Sequence, residues 1–315
     1  METRKNTPFI SICIPASRNT PLFTRLLDSI AIQSYRDFEV VVSDNSGTPE
    51  IRELLEGYND RFPSLVYYKT PRRLNMGENW NTVLSKANGE WLKMIHDDDW
   101  FSNNDSLAQF ALAAQNTSAK FVFSDYTHFY EHTKTTRKYS FPKHKSRNLI
   151  KTPEILIAQN IIGNPSCTMV HRSLSTTYDT GMVWRIDVDY YIRVLRGSRS
   201  FQHIAKPLIH IGMNEHQMTK QVQLNPAVEL PEAYHLLSKN GTRILHNFLV
   251  YDVYWRIFRN MHIFDKTTLH QYCNQEWGAV VDGMIRDLGR CDRRMLGNGF
   301  YSKLKMSLSF IKRRP

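Results

Sequence analysis

Up to about residue 125 the chain alternates short apolar runs with amphipathic ones, and proline or a polar cluster marks each change. Residues 9–14 (Phe-Ile-Ser-Ile-Cys-Ile) form a β-rich run stopped by Pro15. Thr20 and Pro21 then read as a helix start, a capping hydroxyl followed by proline at the first helical position. Leu22, Phe23, Leu26, Leu27 and Ile30 recur at helical spacing on one face. Residues 38–42 are a second strand, broken at Ser43-Asp44-Asn45-Ser46-Gly47. Thr48 and Pro49 repeat the cap signal before a helix whose stripe is Ile51, Leu54, Leu55 and Tyr58. Residues 65–68 are a third strand, a helix follows over about 78–86, and 91–95 and 121–124 are further strands. This rhythm predicts parallel pairing through right-handed crossovers, hence an α/β, doubly wound sheet.

Ligands of such sheets bind beyond the carboxyl ends of the strands. The polar groups there are Ser17, Arg18 and Asn19, then Asp44 and Asn45, then Arg73, Asn75 and Gly77, then Asp97, Asp98 and Asp99. All four clusters converge on one rim. Three successive carboxylates repel one another and resist burial, unless a cation neutralises them. A hard divalent ion with oxygen ligands does so, and it can also hold phosphate. No GxGxxG follows the first strand and no GxxxxGK[ST] occurs anywhere, which argues against a dinucleotide dehydrogenase or a P-loop ATPase.

The chain has 315 residues and a formal charge of +11. Residues 285–315 hold nine Lys/Arg against two Asp, an end suited to an anionic surface. The four cysteines, Cys13, Cys167, Cys273 and Cys291, are scattered and read as reduced thiols of a cytoplasmic protein. No apolar stretch approaches the ~18–20 residues that span a bilayer, and the first residues lack a secretory apolar core.

In order along the chain, Ile10-Ser-Ile-Cys-Ile-Pro-Ala-Ser-Arg-Asn19, Gln33 to Ser46, Asn75-Met-Gly-Glu-Asn-Trp-Asn81 and Ala87 to Trp100 resemble the donor half of the inverting family 2 glycosyltransferases, which have the GT-A fold. Asn160 to Ser166 and Asp187-Val-Asp-Tyr-Tyr-Ile-Arg193 resemble the family's acceptor-side elements. The resemblance implies a GT-A catalytic domain over 1–225, with a nucleotide-binding half at about 8–125 and an acceptor half at about 126–225. A basic helical extension occupies 226–315. It implies that Pro15, Ser17, Arg18 and Asn19 line a nucleotide pocket and that Asp44 accepts a hydrogen bond from the base, uracil by preference. Asn75, Gly77 and Asn81 position ribose and diphosphate. The DxD element fits in two registers, His96-Asp97-Asp98 or Asp97-Asp98-Asp99. The metal ligand, for Mn²⁺ or Mg²⁺, is then Asp98 or Asp99, with Asp97 on the ribose or phosphate side and His216 reaching the metal from a loop. Ser43 stands where the family commonly has an aspartate, which loosens the assignment of the nucleotide. Asp187 is the expected catalytic base, with Asp189 as the alternative. The QxxRW element of processive synthases is absent, so transfer of one sugar or a few is expected, to a glycan or lipid-linked acceptor.

Phe300, Leu304, Leu308 and Ile311 fall on one helical face among lysines and arginines, the composition of an interfacial helix on anionic lipid. Docking of that face against the catalytic domain is the alternative. Two other readings compete with the transferase. A sugar nucleotidyltransferase normally carries a glycine-rich basic loop after the first strand, and Pro15-Ala-Ser-Arg-Asn19 has no glycine. A basic nucleic-acid-binding protein would suit the charge, yet the acidic rim and the lack of recognisable motifs point to no nucleic-acid partner.

Overall fold

The computed structural model describes residues 7–18, 21–213, 222 and 224–313. The chain divides into two compact units, Met1–Ile150 with Ile161–Glu215, and Lys151–Asn160 with His216–Pro315.

The first unit is built on a nine-stranded mixed sheet. Its early elements are β1 (Ile10–Ala16), α1 (Pro21–Ala31), β2 (Phe38–Asp44), α2 (Glu50–Glu56), β3 (Leu65–Lys69), α3 (Met76–Lys86), β4 (Trp91–Met94), β5 (Asp99–Phe101) and α4 (Ser106–Gln115). Then come β6 (Phe121–Tyr130), β7 (Thr135–Tyr139), α5 (Ser146–Lys151), β8 (Thr168–His171), α7 (Ile186–Ser198) and β9 (Gln202–Met213); between α5 and β8 the chain forms α6 (Ile155–Ala158), which belongs to the second unit. The strand order is β3-β2-β1-β4-β8-β6-β9-β5, with β7 on β6. Pairing within β3-β2-β1-β4 is parallel, as the strand–helix alternation predicts. Beyond β4 the sheet turns mixed, with β8 antiparallel to both β4 and β6 and β5 antiparallel to β9. The core lies between this sheet and its helices: Ile10, Ile12, Ile14, Val40 and Val42 meet Phe23, Leu26, Leu27 and Ile30 of α1.

Several element ends differ from the sequence reading. Proline does not stop β1: Pro15 pairs in register with Ser43. The Ala16 carbonyl faces β2, where it accepts from Asn45 N, and the Cys13 carbonyl faces β4, where it accepts from Ile95 N. By alternation Pro15 faces the β4 side, past the last paired residue there, so its missing N–H interrupts no ladder. β2 likewise runs on through Ser43 and Asp44. Thr48 caps nothing, since the residue before α2 is Pro49 with no side-chain cap bond. The cap of α3 is Asn75, which with Glu78 forms a reciprocal capping box and starts that helix at Met76. β5 and β7 escape the sequence reading, and β7 is an exposed hairpin strand paired with β6.

The second unit is helical: α6 with α8 (Pro226–Asn240), α9 (Phe248–Asn260), α10 (Lys266–His270), α11 (Ala279–Gly289) and α12 (Gly299–Arg313). Tyr251, Tyr254, Trp255 and Phe258 of α9 are its buried centre. Tyr251 Oη bonds Ser309 Oγ at 2.7 Å and Trp255 Nε1 donates to Ser302 Oγ at 3.2 Å, which fixes α12 through one face. No helix among the described residues is long and apolar enough to cross a membrane.

Candidate functional site

The three aspartates straddle the end of β4 and the start of β5, and each has a different environment. Asp99 is 1 % exposed. Its Oδ2 accepts from Ser166 Oγ at 2.5 Å and Asn164 Nδ2 at 2.7 Å, and its Oδ1 from Gly212 N at 3.1 Å. Gly212 permits this close approach of β9, because a Cβ there would collide with the Asp98 carbonyl. Burial pushes the Asp99 carboxyl up to about 6, against the pull of those three donors and of Lys93. Asn164 and Ser166, which the sequence assigns to the acceptor side, thus hold Asp99 in place. Ser166 Oγ also accepts from His96 N at 2.9 Å.

Lys93 lies beneath this group and is fully buried. Its Nζ donates to the carbonyls of Ser166 and of Met94 and sits 5.0 Å from the Phe110 ring centre. Burial pulls its ammonium down to about 7. The sequence signal for it was a lysine inside an otherwise apolar run, 91–95.

His96, Asp98 and Asp99 offer ligand atoms that all lie within 4.8 Å of one another. His96 Nδ1 is 3.9 Å from Asp99 Oδ2, while its Nε2 is buried with no hydrogen-bond partner. Burial, and secondarily Lys93, push the imidazole down to about 4, so at neutral pH it carries a lone pair rather than a charge. A neutral imidazole with an orphaned nitrogen beside two carboxyl groups is a donor set that fits a divalent cation. Asp97 turns the other way: its Oδ2 accepts from Ser17 N at 3.1 Å and Ser17 Oγ at 3.5 Å. Burial raises the Asp97 carboxyl, partly offset by Ser17 and by the nearby charge of Arg18. The ends of β1 and β4 therefore bring Pro15, Ser17, Arg18, Asp97 and the His96 group to one rim. Asn19 and His216 lie outside the described residues.

Four residues expected at the donor are engaged by the protein itself. Asp44 is fully buried at the end of β2; its Oδ1 accepts from Ser46 N at 2.8 Å and its Oδ2 from Tyr67 Oη at 2.7 Å and Lys69 Nζ at 2.9 Å. Burial pushes this carboxyl up, but the bonds from Ser46, Lys69 and Tyr67 outweigh it and hold it below the usual range. Because β2 continues two residues further than expected, Asp44 belongs to the sheet end rather than to an open turn. Asn75 caps α3 and donates to the Thr180 carbonyl at 3.2 Å. A Cβ on Gly77 would come within 3.0 Å of Thr180 Cα and 3.1 Å of the Asp179 carbonyl, so this glycine serves the approach of two segments of the chain. Asn81 donates to Tyr178 O at 2.8 Å and accepts from Tyr178 N at 2.7 Å. Together the three clamp α3 to residues 178–180. Trp80, between them, lies 4.7 Å from the His96 ring and 4.8 Å from Tyr178, which stacks on Tyr190 at 4.0 Å.

Asp187 sits in the first turn of α7, half-buried, with Oδ1 accepting from Val188 N at 2.8 Å. Asp189 is 2 % exposed and its Oδ2 takes both Arg193 Nη2 at 2.7 Å and Nε at 2.9 Å. Arg193 is thus an ion-pair partner of Asp189.

The model of the family described as Glycosyl transferase family 2 matches residues 11–176 of this chain. The chain belongs to that family. As a family 2 glycosyltransferase it is 25% identical over 223 residues to a protein of Escherichia coli (strain K12), WcaA, whose name places it in colanic acid biosynthesis; the match covers 68% of this chain and 77% of that one. Among solved structures, S. aureus TarS 1-349 in complex with UDP-GlcNAc superposes with a TM-score of 0.57 at 16% identity, over 97% of this chain and 81% of that chain. The mannosyltransferase PcManGT from Pyrobaculum calidifontis, in complex with GDP-Man and Mn2+, does so with a TM-score of 0.55 at 14% identity, over 98% and 86%. These likenesses establish the GT-A fold for the transferase.

Proposed function

We propose that this glycosyltransferase moves one sugar, with inversion, from a nucleoside-diphosphate sugar to a hydroxyl of a glycan or lipid-linked acceptor in surface polysaccharide synthesis. The observation that carries the reading is the His96, Asp98 and Asp99 ligand set at the carboxyl end of β4, next to the Ser17–Asp97 bond. A UDP-sugar is the preferred donor, supported by the UDP-GlcNAc complex of TarS; the GDP-Man complex of PcManGT makes GDP-sugars the alternative. The name of WcaA supports a polysaccharide product. Four buried cysteines without disulfides suit a cytoplasmic enzyme.

His96 and Asp98 would hold Mn²⁺ or Mg²⁺, with Asp99 buried behind them. Such an ion, when bound, supplies Lewis-acid stabilisation of the charge that grows on the leaving diphosphate. Ser17 and Asp97 fix the rim on which the donor lies, and exposed Arg18 adds positive charge there. Asp187 takes the proton of the acceptor hydroxyl as its oxygen attacks the anomeric carbon and the diphosphate leaves from the opposite face. A carboxylate in this role contributes about 10²–10⁴-fold. Asp187 is favoured over Asp189 because it is half-buried, within reach of an acceptor, whereas Asp189 is 2 % exposed.

The test is a thermal-shift panel of UDP-, GDP- and dTDP-sugars with and without Mn²⁺, run on wild type and Asp187→Asn. Wild type should be stabilised by one nucleotide class and only with metal. Asp187→Asn should keep that shift and lose at least about 100-fold in transfer. Absence of any metal-dependent shift overturns the donor reading, and near-wild-type turnover of Asp187→Asn removes it as the base.

A further inference from the structure

α12 has two apolar faces, and only one of them is covered. At about 100° per residue, Ser302, Met306, Ser309 and Phe310 share one side, and all four are buried. Met306 is fully buried, and Ser302 and Ser309 carry the bonds to Trp255 and Tyr251 of α9. Arg313 adds an ion pair to Asp287 of α11 at 3.1 Å. The helix is therefore anchored without its other side. On that side stand Phe300, 81 % exposed, Leu304, 48 %, Leu308, 55 %, and Ile311, 70 %. They span about 16 Å along the helix, a row that water solvates poorly and that scattered surface hydrophobics do not form.

The flanks of the row are basic. By helical angle Lys303 lies on one side and Lys305 and Lys312 on the other. Lys303 and Lys312 pair with Asp252 at 3.1 Å and Asp287 at 3.7 Å, but their own side chains are 48 % and 58 % exposed, and such surface pairs hold their partners weakly. Arg286, Arg290, Arg293 and Arg294 are exposed nearby in sequence, on and just after α11. Phe248, at the start of α9, extends the apolar surface past Phe310, its ring 5.2 Å away, with Lys303 Nζ 4.7 Å over it.

We propose that this face of α12 is a docking surface for an anionic lipid bilayer, with the helix lying in the plane of the interface. Phe300, Leu304, Leu308 and Ile311 enter the headgroup–acyl boundary, and the lysines at the two flanks reach the phosphates. Charge selects this occupant over a second copy of the chain. A symmetric pair would bring two segments of nine basic and two acidic residues together, whereas a negative surface neutralises them. The inference stands on the second unit alone and does not depend on the donor reading.

The test uses the full chain and a variant with Phe300→Ser, Leu304→Ser, Leu308→Ser and Ile311→Ser. All four positions are exposed, so the fold should tolerate them, and an unchanged melting temperature checks that it does. Sedimentation is measured with phosphatidylcholine vesicles, and with vesicles in which about a third of the lipid is phosphatidylglycerol. Wild type should sediment with the anionic vesicles at least about tenfold more than with the neutral ones, and less at high salt. The variant should lose about tenfold. A second variant, Lys303→Gln with Lys305→Gln and Lys312→Gln, should lose the preference for anionic lipid while keeping the fold. Equal sedimentation of wild type and the serine variant overturns the proposal. So does light scattering that shows a wild-type dimer dissociated by the same substitutions, since a second copy would then cover the row. Loss of the metal-dependent donor shift with vesicle binding intact would count against the proposed reaction only.

Discussion

Asn81→Ala discriminates between two jobs for one residue. If Asn81 contacts the donor, its loss weakens nucleotide binding and leaves the fold alone. The structure instead makes it a bridge between α3 and Tyr178, across 97 positions of sequence, through bonds of 2.8 and 2.7 Å to the Tyr178 carbonyl and amide. Tyr178 is 3 % exposed, so both backbone groups lose their partner where water replaces it poorly. A stranded buried group costs about 1–3 kcal/mol. Two of them, with partial relief because Asn81 is only half-buried, come to about 3 kcal/mol. At about 2–4 °C per kcal/mol for a domain of this size, the melting temperature should fall by about 6–12 °C. Calorimetric titration of UDP with Mn²⁺, well below that temperature, should give an affinity within about threefold of wild type. An unchanged melting temperature together with tenfold weaker UDP binding would refute the clamp and restore Asn81 to the donor.

Gly77→Ala tests the same joint from the other side. The added methyl meets Thr180 Cα at 3.0 Å and Ile186 Cδ1 at 3.1 Å, tight contacts that should cost about 1–3 kcal/mol in thermal unfolding; a neutral result would mean that residues 179–186 yield freely. Lys93 sets a pH signature. Its ammonium releases its proton near 7 in the folded chain and at 10.5 in the unfolded one, so between those values the unfolded state holds more protons and stability rises with pH. The penalty for the buried charge is complete below pH 7. The difference in unfolding free energy between wild type and Lys93→Met should therefore move in favour of wild type from pH 7 to pH 10, and a flat difference would show that Lys93 is not desolvated as described.

What the sequence disclosed followed local rules. Apolar runs of four to six residues punctuated by Pro and polar clusters located β1, β2, β3 and β4, and the stripe in α1 named Phe23, Leu26, Leu27 and Ile30, which are buried there. The errors arise where a distant segment decides. β5 has only three residues, and it is a strand because β9, more than a hundred positions away, pairs with it at Asp99–Ile211. Strand ends shifted for the same reason: Asp44 looks like a turn residue until Tyr67 and Lys69 of β3 are placed beside it. Within the aspartate run, identical residue types received different environments from Ser17, Asn164, Ser166 and Gly212, none of them adjacent in sequence. No spacing rule could have separated Asp97 from Asp99.

The segment 75–81 shows how much of a motif can serve the fold itself. Asn75, Gly77 and Asn81 bind residues 178–180, Asn79 accepts from Ser43 Oγ at 2.7 Å at the end of β2, and Trp80 packs on His96. α3 therefore ties the end of β2, the candidate metal site and the approach to α7 into one joint. The ring series His96–Trp80–Tyr178–Tyr190 runs from the proposed ligand to the helix that carries Asp187. A displacement of α3 by even a fraction of an ångström would move the His96 imidazole and α7 together, because each is packed against the same indole or its neighbour. Such a joint makes the spacing between the His96 group and α7 a property of core packing rather than of loop conformation. Mutations in 75–81 should then lower turnover through geometry, with donor affinity little changed.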